Sequence, residues 1–362
     1  MKRIMFISWD MSILGGINQV LVGLANKLSK DYEVYIVSLV KSGEKTKYIL
    51  NSEIKGLEYL TEEDCRGREV LIKGRKKLRK LIKEKEIDIL FLMGFQVSLP
   101  VILMTFGLKC KNVFCDHEAL LSRWHEKKIT MVRYMTSIFS KKVITLTKQN
   151  AEDYKEKFRL SDKKVDFIYN SITEEVLNNC SEYNSDSKII LSVGRFSKEK
   201  GYDILVEVAR KVLGKHEDWK WYIYGNGDTF FEIEQQIKKE KLDKQVILKG
   251  EVSDVSSIYG QAGIFVLTSY REGLPLVLLE AKANHLPCVS FDIISGPKEI
   301  IRDKVDGILV PPYDREKMAE TIEKLICDTS LRKKMAEKAE ENLSKFSEKE
   351  IMKQWKQLIE EL

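Results

Sequence analysis

Two basic residues stand in a short, glycine-bounded loop in the second half of the chain. The segment GRFSKEKG (194–201) follows the apolar run IILSV and places Arg195 and Lys200 ahead of a predicted helix that begins near Asp203. Positive charge and the free N–H groups of a helix N-terminus attract the same anion, so this loop suits a diphosphate. It is not a P-loop, because GxxxxGK[ST] is absent. Taken alone, such a loop is usually a solvated charged turn.

Two acidic residues flank a second predicted helix start. In EGLPLVLLE (272–280), Glu272 precedes the helix and Glu280 lies more than a turn inside it, tilted back toward the N-terminus. Pro275 suits the first helical turn, and the free amides around it could face an anion or sugar hydroxyls. Glu280 could instead be a surface residue. Its neighbours at 277–279 are apolar, however, and a carboxylate in a buried run needs a partner.

Three weaker features follow other predicted strands. Gly15 and Gly16 precede a helix and could let a substrate approach the backbone closely, although a glycine pair is most often only a turn. Gly296 and Pro297 open a helix in FDIISGPKEII. His117 follows NVFC at the carboxyl end of a strand. A lone histidine is more often structural than catalytic, and this position leaves both interpretations open.

The elements that must position these residues alternate between short apolar strands and helical periods. The predicted strands are RIMFIS, YEVYIVSLV, IDILFL, NVFC, KVITL and VDFI, then IILSV, WYIYG, VILKG, IFVLTS, PCVSF and GILV. Runs of Val, Ile and Leu without polar alternation indicate parallel sheets covered on both faces. The prediction is two doubly wound, Rossmann-like α/β domains, 1–175 and 176–345, facing a cleft. A C-terminal helix in 346–362 could pack back on the first domain. Ligands bind at the carboxyl ends of strands in such folds.

Composition limits the classes of function. The six cysteines are scattered without a CxxC pair and only four histidines occur, so neither a zinc site nor a disulfide framework is predicted. The start of the chain has no signal-peptide pattern, and the most apolar stretch, Val97–Leu108, is too short to span a bilayer. We therefore expect a cytoplasmic protein.

A basic segment raises the question of a membrane surface. Ten Lys or Arg residues lie between Arg66 and Lys85, with Leu71, Leu78 and Ile82 at roughly helical spacing. Such a helix could bind the anionic inner face of the cytoplasmic membrane, or its apolar stripe could pack on its own sheet; the pattern fits both. Nucleic acid is disfavoured, because no aromatic residues are interleaved with these charges.

Together these segments resemble the retaining glycosyltransferases of family 4, which have the two-domain GT-B architecture. The most specific match is the E-x7-E pair, Glu272 and Glu280, with Arg195 and Lys200 upstream. The glycine-rich N-terminal loop, His117, WYIYGNGD and GP-x-EII occur in the family's order, so the resemblance covers nearly the whole chain.

The resemblance implies a role for each matching residue. Arg195 and Lys200 would hold the diphosphate of a UDP-linked sugar, so no metal or other cofactor is expected. Glu280 would bind the ribose, and Glu272 the transferred sugar. The implied catalytic residues are His117, Arg195, Lys200 and Glu272. The implied donor-binding residues are Gly15, Gly16, Arg195, Lys200, Gly225, Val252, Glu272, Gly273, Leu274, Leu276 and Glu280.

The resemblance also implies the reaction. The acceptor hydroxyl would attack on the leaving group's own face, a donor phosphate oxygen would take its proton, and Glu272 need not be a covalent nucleophile. The closest likeness is to bacterial enzymes that extend surface polysaccharides or lipid-linked oligosaccharides. The acceptor would then be a glycan or carry a polyprenyl diphosphate, and the region 123–125 or the basic helix could meet the membrane. Two alternatives are a nucleotide-sugar epimerase of the same architecture and a catalytically silent partner subunit.

Overall fold

The computed structural model describes residues 1–362 except 45, 63, 64, 66, 67 and 253–255 and the side chain at 256. The chain forms two compact units: the N-terminal unit contains Met1–Asn170 and Ile351–Leu362, and the C-terminal unit contains Ser171–Glu350. The predicted boundaries followed residues 175 and 345. The first falls earlier in the structure because the Ile172 amide donates to the Phe346 carbonyl (2.8 Å), which ties that segment to the C-terminal unit.

The N-terminal unit is a seven-stranded parallel sheet with helices between its strands. Its strands are β1 (Arg3–Asp10), β2 (Glu33–Val40), β3 (Leu57–Tyr59), β4 (Ile89–Met93), β5 (Lys111–Asp116), β6 (Lys142–Thr145) and β7 (Val165–Phe167). Its helices before residue 170 are α1 (Gly16–Leu28), α2 (Arg68–Glu84), α3 (Phe95–Thr105), α4 (Lys127–Phe139) and α5 (Lys148–Phe158). The strand order is β3-β2-β1-β4-β5-β6-β7, with every pairing parallel.

The C-terminal unit repeats this arrangement with six strands. They are β8 (Ile189–Val193), β9 (Lys220–Tyr224), β10 (Val246–Gly250), β11 (Ile264–Leu267), β12 (Cys288–Phe291) and β13 (Gly307–Val310), in the order β10-β9-β8-β11-β12-β13 and all parallel. The helices are α6 (Glu174–Asn178), α7 (Tyr202–Leu213), α8 (Phe230–Lys239), α9 (Ser256–Tyr259), α10 (Leu276–Ala283), α11 (Pro297–Ile300), α12 (Arg315–Cys327) and α13 (Thr329–Glu337). The predicted doubly wound α/β class is confirmed for both units.

Strands of continuous apolar sequence are stable here because both faces of the sheet are covered. Along β1, Ile4 and Phe6 pack into one core cluster and Met5 and Ile7 into another, since successive side chains point to opposite faces. All four are at most 1% exposed. Burying a side chain of this size contributes about 1.5–3 kcal/mol, so each strand position stabilises the sheet from one side or the other.

The last helix, α14 (Glu348–Glu361), places most of its length in the N-terminal unit. The Trp355 ring packs edge-on against Phe91 of β4, with centroids 5.4 Å apart. Lys2 donates to the Ile359 carbonyl (2.5 Å), and the Tyr32 hydroxyl donates to Glu360 (2.7 Å). The two ends of the chain are thereby joined in one core.

The basic segment forms α2, although Arg66 lies outside the described residues. The side chains of Val70, Leu78 and Ile82 are buried against the core of the N-terminal unit. The apolar stripe therefore packs on the protein's own sheet, and the lysines and arginines are left on the outer face. Across the part of the chain that the structure describes, no helix has both the length and the apolar character needed to cross a membrane.

The sheet order decides which loops can form a site. In each unit, successive strands are added on one side of the first strand and then on its other side. This reversal of strand order falls between β1 and β4 in the N-terminal unit and between β8 and β11 in the C-terminal unit. Loops at the carboxyl ends of the two strands at such a reversal diverge and leave a crevice, the usual ligand position in doubly wound sheets. The loops after β8 and β11 carry Lys200 and Glu272.

Candidate active site

The loop after β8 rests on the loop after β9 at a distance that only glycine allows. Gly225 has φ +134°, and a Cβ there would lie 1.9 Å from the Gly194 carbonyl oxygen. Gly227 has φ +151°, and its Cβ would lie 2.4 Å from the Phe196 carbonyl oxygen. The Gly194 amide donates to the Tyr224 carbonyl (3.0 Å) and the Phe196 amide to the Asn226 carbonyl (2.9 Å), which holds the two loops together. Gly225 thus supports the loop that carries Arg195.

Lys200 and Glu272 meet although 72 residues separate them. The Lys200 Nζ lies 2.7 Å from the Glu272 Oε1, and the Ser269 hydroxyl donates to the same oxygen (2.6 Å). Gly201 makes the approach possible: it has φ +64°, and a Cβ would lie 2.2 Å from the Thr268 carbonyl oxygen. Both side chains of the ion pair are mostly covered, with 21% and 11% exposure. A shielded pair of this kind is weakened less by salt than a surface pair.

A second set of contacts fastens the same two loops. Arg271 lies 2.7 Å from Glu199, the Tyr270 amide donates to the Glu199 carbonyl (2.8 Å), and the Tyr270 hydroxyl donates to Asp203 (2.7 Å). Burial acts to raise the pKa of Glu199, but hydrogen bonds led by that from Arg271 lower it to about 2. Glu199 therefore stays charged at neutral pH and keeps the Lys200 loop against the Glu272 loop.

The start of α10 is built on a third glycine contact. Gly296 has φ +100°, and a Cβ there would lie 2.9 Å from the Gly273 carbonyl oxygen and 2.8 Å from the Pro275 ring. Pro275 is the N-cap residue, so α10 begins at Leu276, one residue later than the sequence suggested. The first N–H groups of a helix have no acceptor within it, so those at the start of α10 can bind a ligand. Leu274, beneath them, is 4% exposed.

Glu280 lies inside α10 and bonds to a residue that the sequence did not indicate. The Tyr259 hydroxyl donates to Glu280 Oε2 at 2.7 Å. Burial raises the pKa of Glu280, and the hydrogen bond from Tyr259 opposes that rise. The expected partner of this carboxylate is therefore a phenol from α9. Lys200 contacts Glu272, whereas no hydrogen bond or ion pair joins Glu272 to Glu280 among the described residues.

The remaining predicted donor residues of this unit are less constrained. Arg195 is exposed and lies 3.3 Å from Asp228, whose side chain is more exposed still. Val252 is partly buried just after β10, and residues 253–255 beside it lie outside the described part of the chain.

Gly15 and Gly16 in the N-terminal unit have open space where a side chain would begin, unlike the glycines described above. A Cβ at either position would meet nothing within 4 Å, and Gly15 has an extended backbone (φ −178°) that any residue adopts. The Tyr48 hydroxyl accepts from the Gly15 amide (2.8 Å) and donates to its carbonyl (3.0 Å). The protein's own packing therefore does not require glycine at either position.

His117 follows β5 directly, above a buried ion pair. Asp116 and Arg133, each about 1% exposed or less in the side chain, lie 2.9 Å apart, and Tyr154 donates to Asp116 at 2.5 Å. Burial lowers the pKa of His117 to about 4, with the Asp116 charge opposing the change. Its Nε2 is buried without a hydrogen-bond partner among the described residues. The imidazole is therefore neutral at physiological pH.

Sequence reasoning missed the residues that hold the named ones in place. Tyr259 supports Glu280, the Glu199–Arg271 pair supports Lys200, and Arg133 pairs with Asp116, the residue before His117. Arg271 directly precedes Glu272 and Glu199 directly precedes Lys200, so charge adjacency was an available signal for one pair. Nothing in the spacing of Tyr259 or Arg133 indicates a contact.

A parallel sheet with cations, a carboxylate and a free helix N-terminus at its order reversal is an arrangement typical of nucleotide-binding α/β units. The family comparison gives the particular class. Residues 14–176 match the family model described as Glycosyltransferase Family 4, and residues 175–342 match that described as Glycosyl transferases group 1. The chain belongs to the family 4 glycosyltransferases, and it is an enzyme that transfers a glycosyl group.

Individual proteins agree with this assignment. The chain is 28% identical to a glycosyltransferase of Haemophilus influenzae over 365 residues, 99% of this chain and 100% of that protein. It is also 28% identical over 373 residues to the Campylobacter jejuni GalNAc-alpha-(1->4)-GalNAc-alpha-(1->3)-diNAcBac-PP-undecaprenol alpha-1,4-N-acetyl-D-galactosaminyltransferase, covering 100% and 99%. The fold matches that of TarM from S. aureus, solved with UDP, with TM-score 0.85, 18% identity and 99% of each chain covered. The predicted family and GT-B fold are confirmed.

Proposed function

We propose that this glycosyltransferase moves a sugar from a UDP-linked donor to a hydroxyl of a glycan or polyprenyl-diphosphate-linked acceptor, in the synthesis of bacterial surface polysaccharide. The transfer retains the anomeric configuration and needs no metal ion. The observation that carries the proposal is the 2.7 Å pair of Lys200 and Glu272 at the order reversal of the C-terminal sheet. Two relatives support it: TarM was solved with UDP, and the C. jejuni protein acts on a glycan linked to undecaprenol diphosphate.

Two cations are available for the donor diphosphate. The pair of Arg195 with Asp228 joins two exposed side chains at 3.3 Å, and such surface pairs contribute little stability. The guanidinium can therefore leave Asp228 for a diphosphate and bind it through two parallel N–H bonds. Lys200, on the same loop and paired with Glu272, adds a second charge. These cations stabilise the departing diphosphate, which is the role that a metal ion would otherwise have.

The two carboxylates each have an oxygen for the donor. The recorded bonds to Glu272, among the described residues, both use Oε1, so Oε2 can accept from a hydroxyl of the transferred sugar. In Glu280 the Tyr259 bond uses Oε2, so Oε1 can accept from the ribose. Because Lys200 and Ser269 both withdraw charge from Glu272, it is a poor covalent nucleophile. This supports proton transfer to a donor phosphate oxygen instead.

His117, Gly15 and Gly16 complete the proposal from the N-terminal unit. A neutral imidazole can donate a hydrogen bond to a sugar hydroxyl without adding charge near an oxocarbenium-like centre. The open space at Gly15 and Gly16 is suited to a phosphate against the backbone. The basic outer face of α2 is the part of this unit that could bind an anionic membrane, through charge and not through insertion.

Lysine variants in one loop test the site. Lys200→Ala should lower turnover by about 100-fold or more, the usual effect of removing one group that stabilises transition-state charge. Lys198→Ala, in the same short turn and exposed, is the matched control and should keep the wild-type rate. Equal rates in both variants would remove Lys200 from the mechanism.

A screen of nucleotide sugars by thermal stabilisation, with chelator present, identifies the donor. Binding to the native state raises the melting temperature by mass action, so the true donor should do so in the wild type and less in Lys200→Ala. Transfer to acceptor should proceed equally with chelator. Loss of transfer that added Mg²⁺ or Mn²⁺ restores would contradict metal independence. Interconversion of the sugar without acceptor would point to an epimerase.

A further inference from the structure

Three side chains that bind transition metals converge at the C-terminal end of α10, away from the donor loops at its start. The Cys180 sulfur, a His285 nitrogen and a Glu340 oxygen all lie within 4.8 Å of one another. We propose that these residues form a three-ligand Zn²⁺ site in the C-terminal unit. This inference is independent of the proposed donor chemistry.

The distances suit zinc. Zn–S bonds of about 2.3 Å and Zn–N or Zn–O bonds of about 2.0–2.1 Å, at tetrahedral angles, place ligand atoms about 3.3–3.6 Å apart. The His285 Nε2 and Glu340 Oε1 are 3.4 Å apart, which is already this spacing. The 4.8 Å limit for the set requires the side chains to close by about 1 Å at most.

The ligand types select the metal. A thiolate, an imidazole and a carboxylate are the three ligand types of protein zinc sites, whereas Mg²⁺ and Ca²⁺ take oxygen ligands. Cys180 forms no disulfide and is only partly buried, and Glu340 is exposed, so an ion can enter from solvent. Water would fill the fourth position.

The backbone conformation at His285 determines which variant best tests the site. His285 follows the α10 C-cap residue Asn284 and has φ +58°, in the left-handed region. Helices usually place glycine at this position, because a Cβ is disfavoured there. Five other described non-glycine residues share a positive φ, so this backbone is not itself evidence for a metal, but it allows glycine to replace His285 without strain.

Contacts that need no metal hold the ligands close together. The Ser181 amide donates to the Asn284 side chain (3.0 Å), which keeps Cys180 beside the end of α10. Asp306 pairs with Lys282 of α10 and with Arg302, each at 2.6 Å.

Arg302 then reaches the 3-10 turn Ala339–Asn342, at the Glu341 carboxylate (2.9 Å) and the Lys338 carbonyl (2.8 Å). Asp306 thus links the helix that carries His285 to the turn that carries Glu340. Outer contacts of this kind orient metal ligands before the ion binds. Zinc would fasten α10, the turn and the segment before β8 to one another.

The test uses the full chain, stripped of metal by a chelator under reducing conditions and then titrated with Zn²⁺ against a chromophoric chelator. We expect one Zn²⁺ per chain and a higher melting temperature on its addition. Co²⁺ should give the absorption of a tetrahedral thiolate complex. Absence of any stoichiometric binding by the stripped wild-type protein would overturn the site.

Three variants distinguish Zn²⁺ binding at this cluster from nonspecific Zn²⁺ binding elsewhere on the protein. Cys180→Ser should abolish the thiolate absorption and weaken Zn²⁺ binding at least tenfold. Cys327→Ser, at an exposed cysteine outside the cluster, should leave both unchanged.

His285→Gly is the sharpest variant, because glycine suits the left-handed backbone. Its metal-free form should melt no lower than the metal-free wild type, yet it should lose the Zn²⁺-dependent rise. Wild-type Zn²⁺ affinity in both Cys180→Ser and His285→Gly would refute the proposal. Sugar transfer should continue in the metal-free protein. Loss of transfer in Lys200→Ala therefore tests the proposed donor site, whereas loss of Zn²⁺ binding tests the proposed metal site.

Discussion

His117 should stay neutral far below the pH at which histidine normally charges, and this predicts a pH-dependent stability. Burial lowers its pKa to about 4, against an ordinary value of about 6.5. Between these values the unfolded chain binds a proton at this residue and the native protein does not. Stability from this residue is therefore complete above pH 6.5, falls as the pH drops from 6.5 toward 4, and changes no further below 4.

The size of the effect follows from the two pKa values. At pH 5 the unfolded histidine is almost fully protonated and the native one about one-tenth protonated. Integration of the difference gives about 2 kcal/mol of lost stability at pH 5 relative to pH 8, and about 3 kcal/mol when the loss is complete. A neutral substitute such as His117→Asn should be free of this loss.

Two measurements check the predicted pH dependence of stability at His117. The ring protons of the four histidines, followed by NMR through a pH titration, should show one resonance with a midpoint near 4 that is missing in His117→Asn. Denaturant unfolding at pH 8 and pH 5 should show the wild type losing about 2 kcal/mol more than the variant. A midpoint near 6.5 for the missing resonance, or equal pH dependence of both proteins, would refute the reasoning that burial controls this group.

The remaining predictions concern the supports of the site. Gly225→Ala should prevent stable folding or donor binding, because its Cβ would lie 1.9 Å from the Gly194 carbonyl oxygen. Gly15→Ala should melt as the wild type does and lose only catalytic efficiency; a lower melting temperature for Gly15→Ala would show that packing requires this glycine. Tyr259→Phe should destabilise the protein by about 1–3 kcal/mol at pH 7 by removing the donor to buried Glu280. The destabilisation should shrink as the pH falls, because burial raises the pKa of Glu280 and protonation relieves the charge; a pH-independent loss would contradict this.

Local sequence patterns were enough to predict the main strands and helices and the α/β fold class. The apolar runs at β1, β4 and β8 have no polar alternation, so only a sheet covered on both faces could bury them. The short edge strand β3 (Leu57–Tyr59) was not predicted, because three residues at a sheet edge are only partly buried and carry little pattern.

Charge and glycine placement indicated the two loops that meet. Arg195, Lys200 and Glu272 stand at strand ends next to helix starts, and in a parallel sheet all such ends lie on one edge. For Lys200 and Glu272 this reasoning was correct, since they are 2.7 Å apart. Arg195 lies beside Asp228 instead, a contact between exposed side chains that a local pattern cannot indicate.

The sequence by itself determined the two parallel-sheet units, the strand-end loops and the chemistry of the residues in them, because each depends on neighbours within a few positions. Only the tertiary structure decided that Tyr259 supports Glu280, that Arg133 pairs with Asp116 next to His117, and that Cys180, His285 and Glu340 gather at one point. These contacts join segments tens to more than a hundred residues apart. Their distances depend on how helices pack on the sheet, which residue spacing along the chain does not specify.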